Sequence, residues 1–156
     1  MNLKAYLGQN GVWYRLIEKG KETIHTKDAA LAAGLDLNRL TKSLIFLDED
    51  EKPVLLIIPG NKRASDKKAA GLLGCKELRL APFEQADKYS GFPPGATPPV
   101  GHRKRMRTVI DNRLMAYETI YGGGGSRELV IEMKPADIVK LNNAIIGDIV
   151  QESEHK

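Results

Sequence analysis

A single α/β domain with a mixed, curved, barrel-like β-sheet flanked by helices is the fold class this chain predicts, on three observations. The chain has 156 residues, about one domain's length, and enough to bury a core without staples. Strand and helix signals alternate irregularly, without the strand–helix repeat of a doubly wound parallel sheet. One nearly continuous apolar run of strand length, PVLLIIP at 53–59, should be buried on both faces. The expectation is one domain over residues 1–156.

The elements follow in order. VWYRLI at 12–17 is β-prone and ends near Gly20. Thr26 and Asp28 open an Ala-rich helix that closes at Gly34. Leu40 to Leu47 reads as a strand entering the core, and DEDEK at 48–52 as a polar turn into the strand 53–59. Ser65 caps a helix reaching Gly74, with Ala69, Ala70, Leu72 and Leu73 as its apolar surface. Lys76 to Leu80 is a short strand and Pro82 to Ser90 a short helix. Residues 91–101, GFPPGATPPVG, hold three Gly and four Pro and exclude helix or central strand. Met106 to Asp111 and Leu114 to Tyr121 suggest a hairpin turning at Asp111-Asn112. A strand at 128–133 follows the four glycines 122–125. Pro135 opens a short helix at its favoured first position, and Ile145 to Val150 completes the core.

Composition excludes several function classes. No apolar run approaches the ~18 residues of a membrane span, and the N-terminus lacks a signal-peptide pattern, so the expected compartment is the cytoplasm. The single cysteine, Cys75, cannot form an internal disulfide and reads as a small core thiol. His25, His102 and His155 are scattered without a neighbouring Cys or second His, so no metal site is expected. The glycine run fits neither G-x-x-x-x-G-K-[ST] nor G-x-G-x-x-G opening a helix, and a strand follows it. It reads either as a wall a ligand's backbone or ribose can approach, or as a hairpin tip. No G-x-S-x-G elbow is present.

Three features carry candidate chemistry. Lys42, in TKSLIFL, stands at the head of an apolar strand, either snorkelling to solvent or held at the mouth of a pocket to stabilise negative charge. The loop 91–101 is stiffened by proline, and its remaining N–H groups, at Gly95, Ala96, Thr97, Val100 and Gly101, are candidate donors to an oxyanion. The net charge is +4, and two runs concentrate the basic residues: Lys62, Arg63, Lys67 and Lys68, and then Arg103, Lys104, Arg105 and Arg107. Each is either a solvated face or a nucleic-acid footprint.

The line GFPPGATPPVGHRK, followed by TVID, ETIYGGGG and LVIEMKPADIVKLNNAIIGDIV, resembles the YbaK/EbsC and prolyl-tRNA-synthetase-associated editing domains. The match runs from about Thr23 to the C-terminus, with TKSL at the family's Lys-Thr/Ser-Leu strand. The resemblance implies a mixed, barrel-like α/β domain that hydrolyses the ester between a wrong amino acid and the terminal adenosine of tRNA, often a mischarged tRNA for proline. It implies no metal or organic cofactor. The family's G-x-x-x-P motif falls on Gly95 to Pro99 and its lysine on Lys42, while Gly123, Gly124 and Gly125 fall near the terminal ribose. Thr97, Val100 and His102 are then candidates to contact substrate, and Lys62, Arg63, Arg103, Lys104 and Arg105 to contact tRNA. Ser126-Arg127 stands where some relatives have Lys-Arg, and His102 stands where cysteine-removing relatives have an apolar residue. The implied partners are the tRNA acceptor end and a synthetase, prolyl-tRNA synthetase foremost. The competing readings are an inactive tRNA- or synthetase-binding module, and a small-molecule esterase or nucleotide-binding regulator.

Overall fold

A computed structural model describes residues 2–18 and 34–152. The helix expected from Thr26 lies outside the described residues. Two sheets organise the chain. The larger has five strands: β2 (Thr41–Asp48), β3 (Pro53–Pro59), β4 (Leu78–Leu80), β5 (Arg107–Asp111) and β8 (Ile145–Gly147), in the order β4-β2-β3-β5-β8. β2 is antiparallel to both neighbours, whereas β5 runs parallel to β3 and β8. The smaller sheet, β1-β7-β6, is antiparallel and consists of Tyr14–Glu18, Leu129–Met133 and Ile120–Gly123. The sheets approach through a bridge between Leu40 and Tyr121 but do not close into a barrel, which corrects that part of the expectation.

β3 shows why its sequence is continuously apolar. Leu55 and Ile57 enter a core between the two sheets, with Leu3, Leu7, Val100, Ile120 and Ile131. Val54, Leu56 and Ile58 face the other way, against Ala69, Ala70 and Leu73 of α2 (Asp66–Leu73). A strand covered on both faces gains nothing from alternation. Helix α2 begins and ends as its residues dictate: the Ser65 hydroxyl accepts the Lys68 amide, and Gly74 takes the left-handed conformation at φ 74°. Pro135 opens α4 (Pro135–Asn142) at its first turn. Pro82–Ser90 is a 3-10 turn (Phe83–Gln85) running into the short α3 (Ala86–Ser90).

Two differences from the sequence reading matter. The expected hairpin at 106–121 does not form. β5 pairs with β3 and β8, Asn112–Ala116 is a 3-10 turn, and β6 joins the other sheet. The buried Asp111 carboxylate is the physical reason: it accepts the amides of Arg113 and Ile149, capping the turn and holding the chain after β8. The second difference is the helix α1 (Leu3–Asn10), which the sequence reading did not anticipate. Asn2 caps it through the Lys4 amide at 2.9 Å, Gly11 ends it at φ 65°, and Leu3 and Leu7 are buried. Among the described residues no helix is long and apolar enough to cross a membrane.

Candidate functional site

The middle of β2 lacks a strand on one side. Side-chain and main-chain directions alternate along a strand, so Thr41, Ser43 and Ile45 aim their N–H and C=O groups the same way. The Ile45 carbonyl accepts the Ala81 amide on the β4 side, whereas the even-numbered Leu40 carbonyl accepts the Gly60 amide on the β3 side. β4 pairs only with Phe46–Asp48. The main-chain groups of Ser43 therefore point to an open edge, and a cleft of about 430 Å³ lies there.

The floor of the cleft is Thr41 to Ile45. One wall is apolar, formed by Leu80, Ala81, Phe83 and Ala86. The other is backbone-rich, formed by Gly95, Thr97 and Gly123. Lys42 is half-buried on the floor. Burial first, and the nearby positive charge of Arg63 second, hold its ammonium pKa below the ordinary lysine value. Four sequence-predicted residues thus share one cleft: Lys42, Gly95, Thr97 and Gly123.

The proline-rich loop is held from behind. Arg127 Nε donates to the Pro94 carbonyl at 2.9 Å and the Gly125 amide to Ala96 at 3.0 Å. His102 Nε2–H donates to Pro98 at 2.6 Å and Asn142 Nδ2 to Pro99 at 2.7 Å. Of the expected donors, Ala96 N–H is used within the loop, on the Pro93 carbonyl. The glycine run meets this same loop. A Cβ on Gly123 would lie 2.3 Å from the Thr97 oxygen and 2.9 Å from the Ala96 carbonyl carbon. The close approach these glycines permit is to the protein's own loop, with Gly124 against Leu129 and Gly125 against Phe92.

Other predicted residues lie elsewhere. Val100 is fully buried in the core, and Pro99 packs on Gly122. Gly101 touches Leu3 and Tyr6 of α1 and lines a second hollow of about 170 Å³ with His102, Lys104 and Arg105. Burial there pushes the His102 pKa below its usual value, against the smaller opposing effect of its bond to Pro98. The basic runs also separate. Arg63 acts electrostatically on Lys42, whereas Lys104 and Arg105 line hollows other than the cleft. Lys68 is engaged by Asp148 at 2.9 Å.

Sequence reasoning missed Ser43, Arg127 as a loop clamp, and Asn142. Ser43 Oγ is buried on the cleft floor with no hydrogen-bond partner among the described residues, an uncommon state for a buried hydroxyl. Its signal was its place beside Lys42 in TKSL. Asp48, Glu49 and Cys75 also come together, their potential ligand atoms within 4.8 Å. Asp48 Oδ1, however, accepts the Asp50 and Lys52 amides and Glu49 Oε1 accepts Lys76 N–H, so these carboxylates shape turns. Cys75 is partly buried against the α2 core, which raises its thiol pKa.

Comparison with known proteins gives this chain a family. The sequence pattern of the aminoacyl-tRNA editing domain matches residues 20–141. The chain belongs to the aminoacyl-tRNA editing domain family. It is 35% identical over 111 residues to a proline–tRNA ligase of Limosilactobacillus fermentum, a match covering 68% of this chain and 19% of the ligase. The chain thus spans about a fifth of that relative's length. It is 26% identical over 129 residues to the "Putative Cys-tRNA(Pro)/Cys-tRNA(Cys) deacylase EbsC" of Enterococcus faecalis, covering 83% of this chain and 79% of that one. A solved structure described as "a putative trans-editing enzyme for prolyl tRNA synthetase" superimposes with a TM-score of 0.81 at 27% identity, over 96% of this chain and 95% of that one. The crystal structure of a hypothetical protein gives a TM-score of 0.88 at 28% identity, over 96% and 99%.

Proposed function

We propose that this protein is a trans-acting deacylase that hydrolyses the ester of a mischarged tRNA, that for proline or a related one. The observation that carries the reading is the meeting of Lys42 with Gly95, Thr97 and Gly123 around one cleft. Water attacks the acyl carbon, the acyl C–O bond breaks, the ribose hydroxyl is restored, and the amino acid leaves as its carboxylate. An aminoacyl ester is activated enough that positioning and charge stabilisation can supply much of the rate. The main-chain N–H groups of Gly95 and Thr97, which line the cleft, donate to the developing oxyanion. Lys42 anchors the terminal phosphate or orients the carbonyl.

Arg63, close enough to act on the Lys42 ammonium, and its chain neighbour Lys62 take phosphates of the acceptor end. Arg103, Lys104 and Arg105 take phosphates further along the RNA. Relatives in which the domain is part of a proline–tRNA ligase support prolyl-tRNA synthetase as a partner.

The test is to offer purified protein alanyl-, cysteinyl-, seryl- and threonyl-tRNA. Faster release of at least one amino acid than in buffer, lost in Lys42→Ala, is the expected result. RNA binding without release from any of the four would overturn the reading in favour of a non-catalytic module. Charge reversal at Lys62 and Arg63 should also flatten the salt dependence of RNA binding.

A further inference from the structure

Residues Pro93 to Ala96 form a β-turn, closed by the Ala96 amide donating to the Pro93 carbonyl at 3.0 Å. Pro94 occupies its second position and Gly95 its third, at φ 85°, which is the type II arrangement. Types I and II differ by a half-rotation of the central peptide, here the unit joining Pro94 to Gly95. Proline suits the second position of either type, and glycine accepts either sign of φ at the third. Local torsional preference therefore fixes this peptide plane only weakly.

Arg127 supplies the missing constraint. Its Nε donates to the Pro94 carbonyl at 2.9 Å, the one hydrogen bond its side chain makes among the described residues. In a trans peptide the carbonyl and the N–H point in opposite directions. Arg127 is not part of the cleft lining, whereas Gly95 is. Drawing the Pro94 oxygen toward Arg127 thus aims the Gly95 N–H the other way. The next donor is set in the same manner, because the Gly125 amide holds the Ala96 carbonyl at 3.0 Å and that peptide carries the Thr97 N–H. Neither Gly95 N–H nor Thr97 N–H has an acceptor among the described residues, while the Ala96 N–H between them does. The Arg127 bond is also charge-assisted, and a polarised carbonyl makes the N–H of its own peptide a stronger donor.

We propose that Arg127 is a positioning residue for deacylation, holding the Pro94–Gly95 peptide so that the Gly95 N–H faces the oxyanion. This rests on the deacylase reading and adds to it a residue that acts only through the turn. Pro–Gly occurs twice in the sequence, at 59–60 and 94–95. Protein carrying carbon-13 at proline carbonyls and nitrogen-15 at glycine therefore gives two coupled amide signals. Gly60, whose amide donates to the Leu40 carbonyl, serves as the internal reference for folding. Arg127→Met should move or split the Gly95 signal and leave that of Gly60 in place. It should lower the single-turnover rate roughly 10-fold or more, with affinity for uncharged tRNA unchanged. Arg127→Lys, which keeps a charged donor, should recover much of the rate and of the Gly95 signal. Should the Gly60 signal also move in Arg127→Met, Arg127→Gln carries the same two readings with a milder change. A wild-type rate and a wild-type Gly95 signal without the guanidinium overturn the proposal and leave the deacylase reading standing. A wild-type rate with weaker tRNA binding and a shallower salt dependence also overturns it, making Arg127 a phosphate contact. If the wild-type protein releases no amino acid, the deacylase reading falls and the catalytic role with it, while the Gly95 signal still decides whether Arg127 fixes the turn.

Discussion

Along the loop 91–101, the side toward the cleft and the side toward α1 and α4 differ in what they contact. On the cleft side lie Gly95 and Thr97, facing open space across from Lys42. On the other side, Val100 is core, Gly101 abuts Leu3 and Tyr6, and side chains from three places tie the carbonyls of Pro94, Pro98 and Pro99. Proline limits φ, but a peptide plane still needs a partner to fix its rotation. The contrast teaches that the orientation of the cleft-side amides is set by residues that never reach the cleft. The sequence motif marks the loop, and its clamps come from residues 102, 127 and 142.

The sharpest way to break this comparison is on the cleft side. Lys42→Ala should lower single-turnover deacylation by on the order of 10² to 10³, as for loss of one charge-stabilising donor. Stability should move the other way or not at all. Because burial lowers the Lys42 pKa, the folded protein binds this proton less readily than the unfolded chain. Stability therefore rises with pH in the window just below 10.5, and the variant should lose that slope in denaturation measured across it. An unchanged rate would remove Lys42 from the chemistry.

Gly123→Ala tests where cleft and loop meet. Its Cβ would stand 2.3 Å from the Thr97 oxygen, a backbone atom that cannot rotate aside. The expected cost is about 1–3 kcal/mol in chemical denaturation, with loss of deacylation as residues 96–97 are displaced. Gly8→Ala is the control. A Cβ there meets nothing within 4 Å, and in the helix α1 the change should stabilise by about 0.5–1 kcal/mol. Equal effects of the two substitutions would show that the loop tolerates displacement.

How much of this was legible depended on whether the governing contact was local. β3 announced itself through an unbroken apolar run, and α2 through Ser65 and Gly74, because these signals act within a few residues. The loop 91–101 was legible as irregular because proline's constraint is its own. The hairpin at 106–121 was misread because Asp111, which decides the turn, is satisfied by Ile149, a residue 38 positions away. The site divides the same way. Lys42, Gly95, Thr97 and Gly123 stood out by composition and resemblance, and they line one cleft. Ser43 was hidden because its distinction, a buried hydroxyl at an unpaired strand edge, exists only once β4 stops short of it.

The clamp side should give smaller effects. Asn142→Ala removes the donor to the Pro99 carbonyl, costing about 1 kcal/mol of stability. If the clamps orient the cleft-side amides, kcat should fall several-fold while KM stays near wild type, since no ligand-facing group is lost. A change in KM alone would sever the link between the two sides of the loop.

The smallest expected effect is a pH dependence at His102. Burial lowers its pKa below 6.5, and the neutral ring already supplies the Nε2–H that Pro98 accepts. As pH falls through 6.5, the unfolded chain takes up a proton that the folded ring resists, so stability declines until the lower folded pKa is passed. Above 6.5 the two states bind equally and this contribution is constant. His102→Gln keeps an amide donor for Pro98 and removes the titration. Denaturation midpoints compared between about pH 5 and 8 should show a shallower acid decline in this variant. Because His25 and His155 remain in both proteins, the difference between the two curves isolates the ring behind the loop. Identical curves would mean that His102 takes its proton as readily folded as unfolded, and would remove the pH sensitivity assigned to this side of the loop.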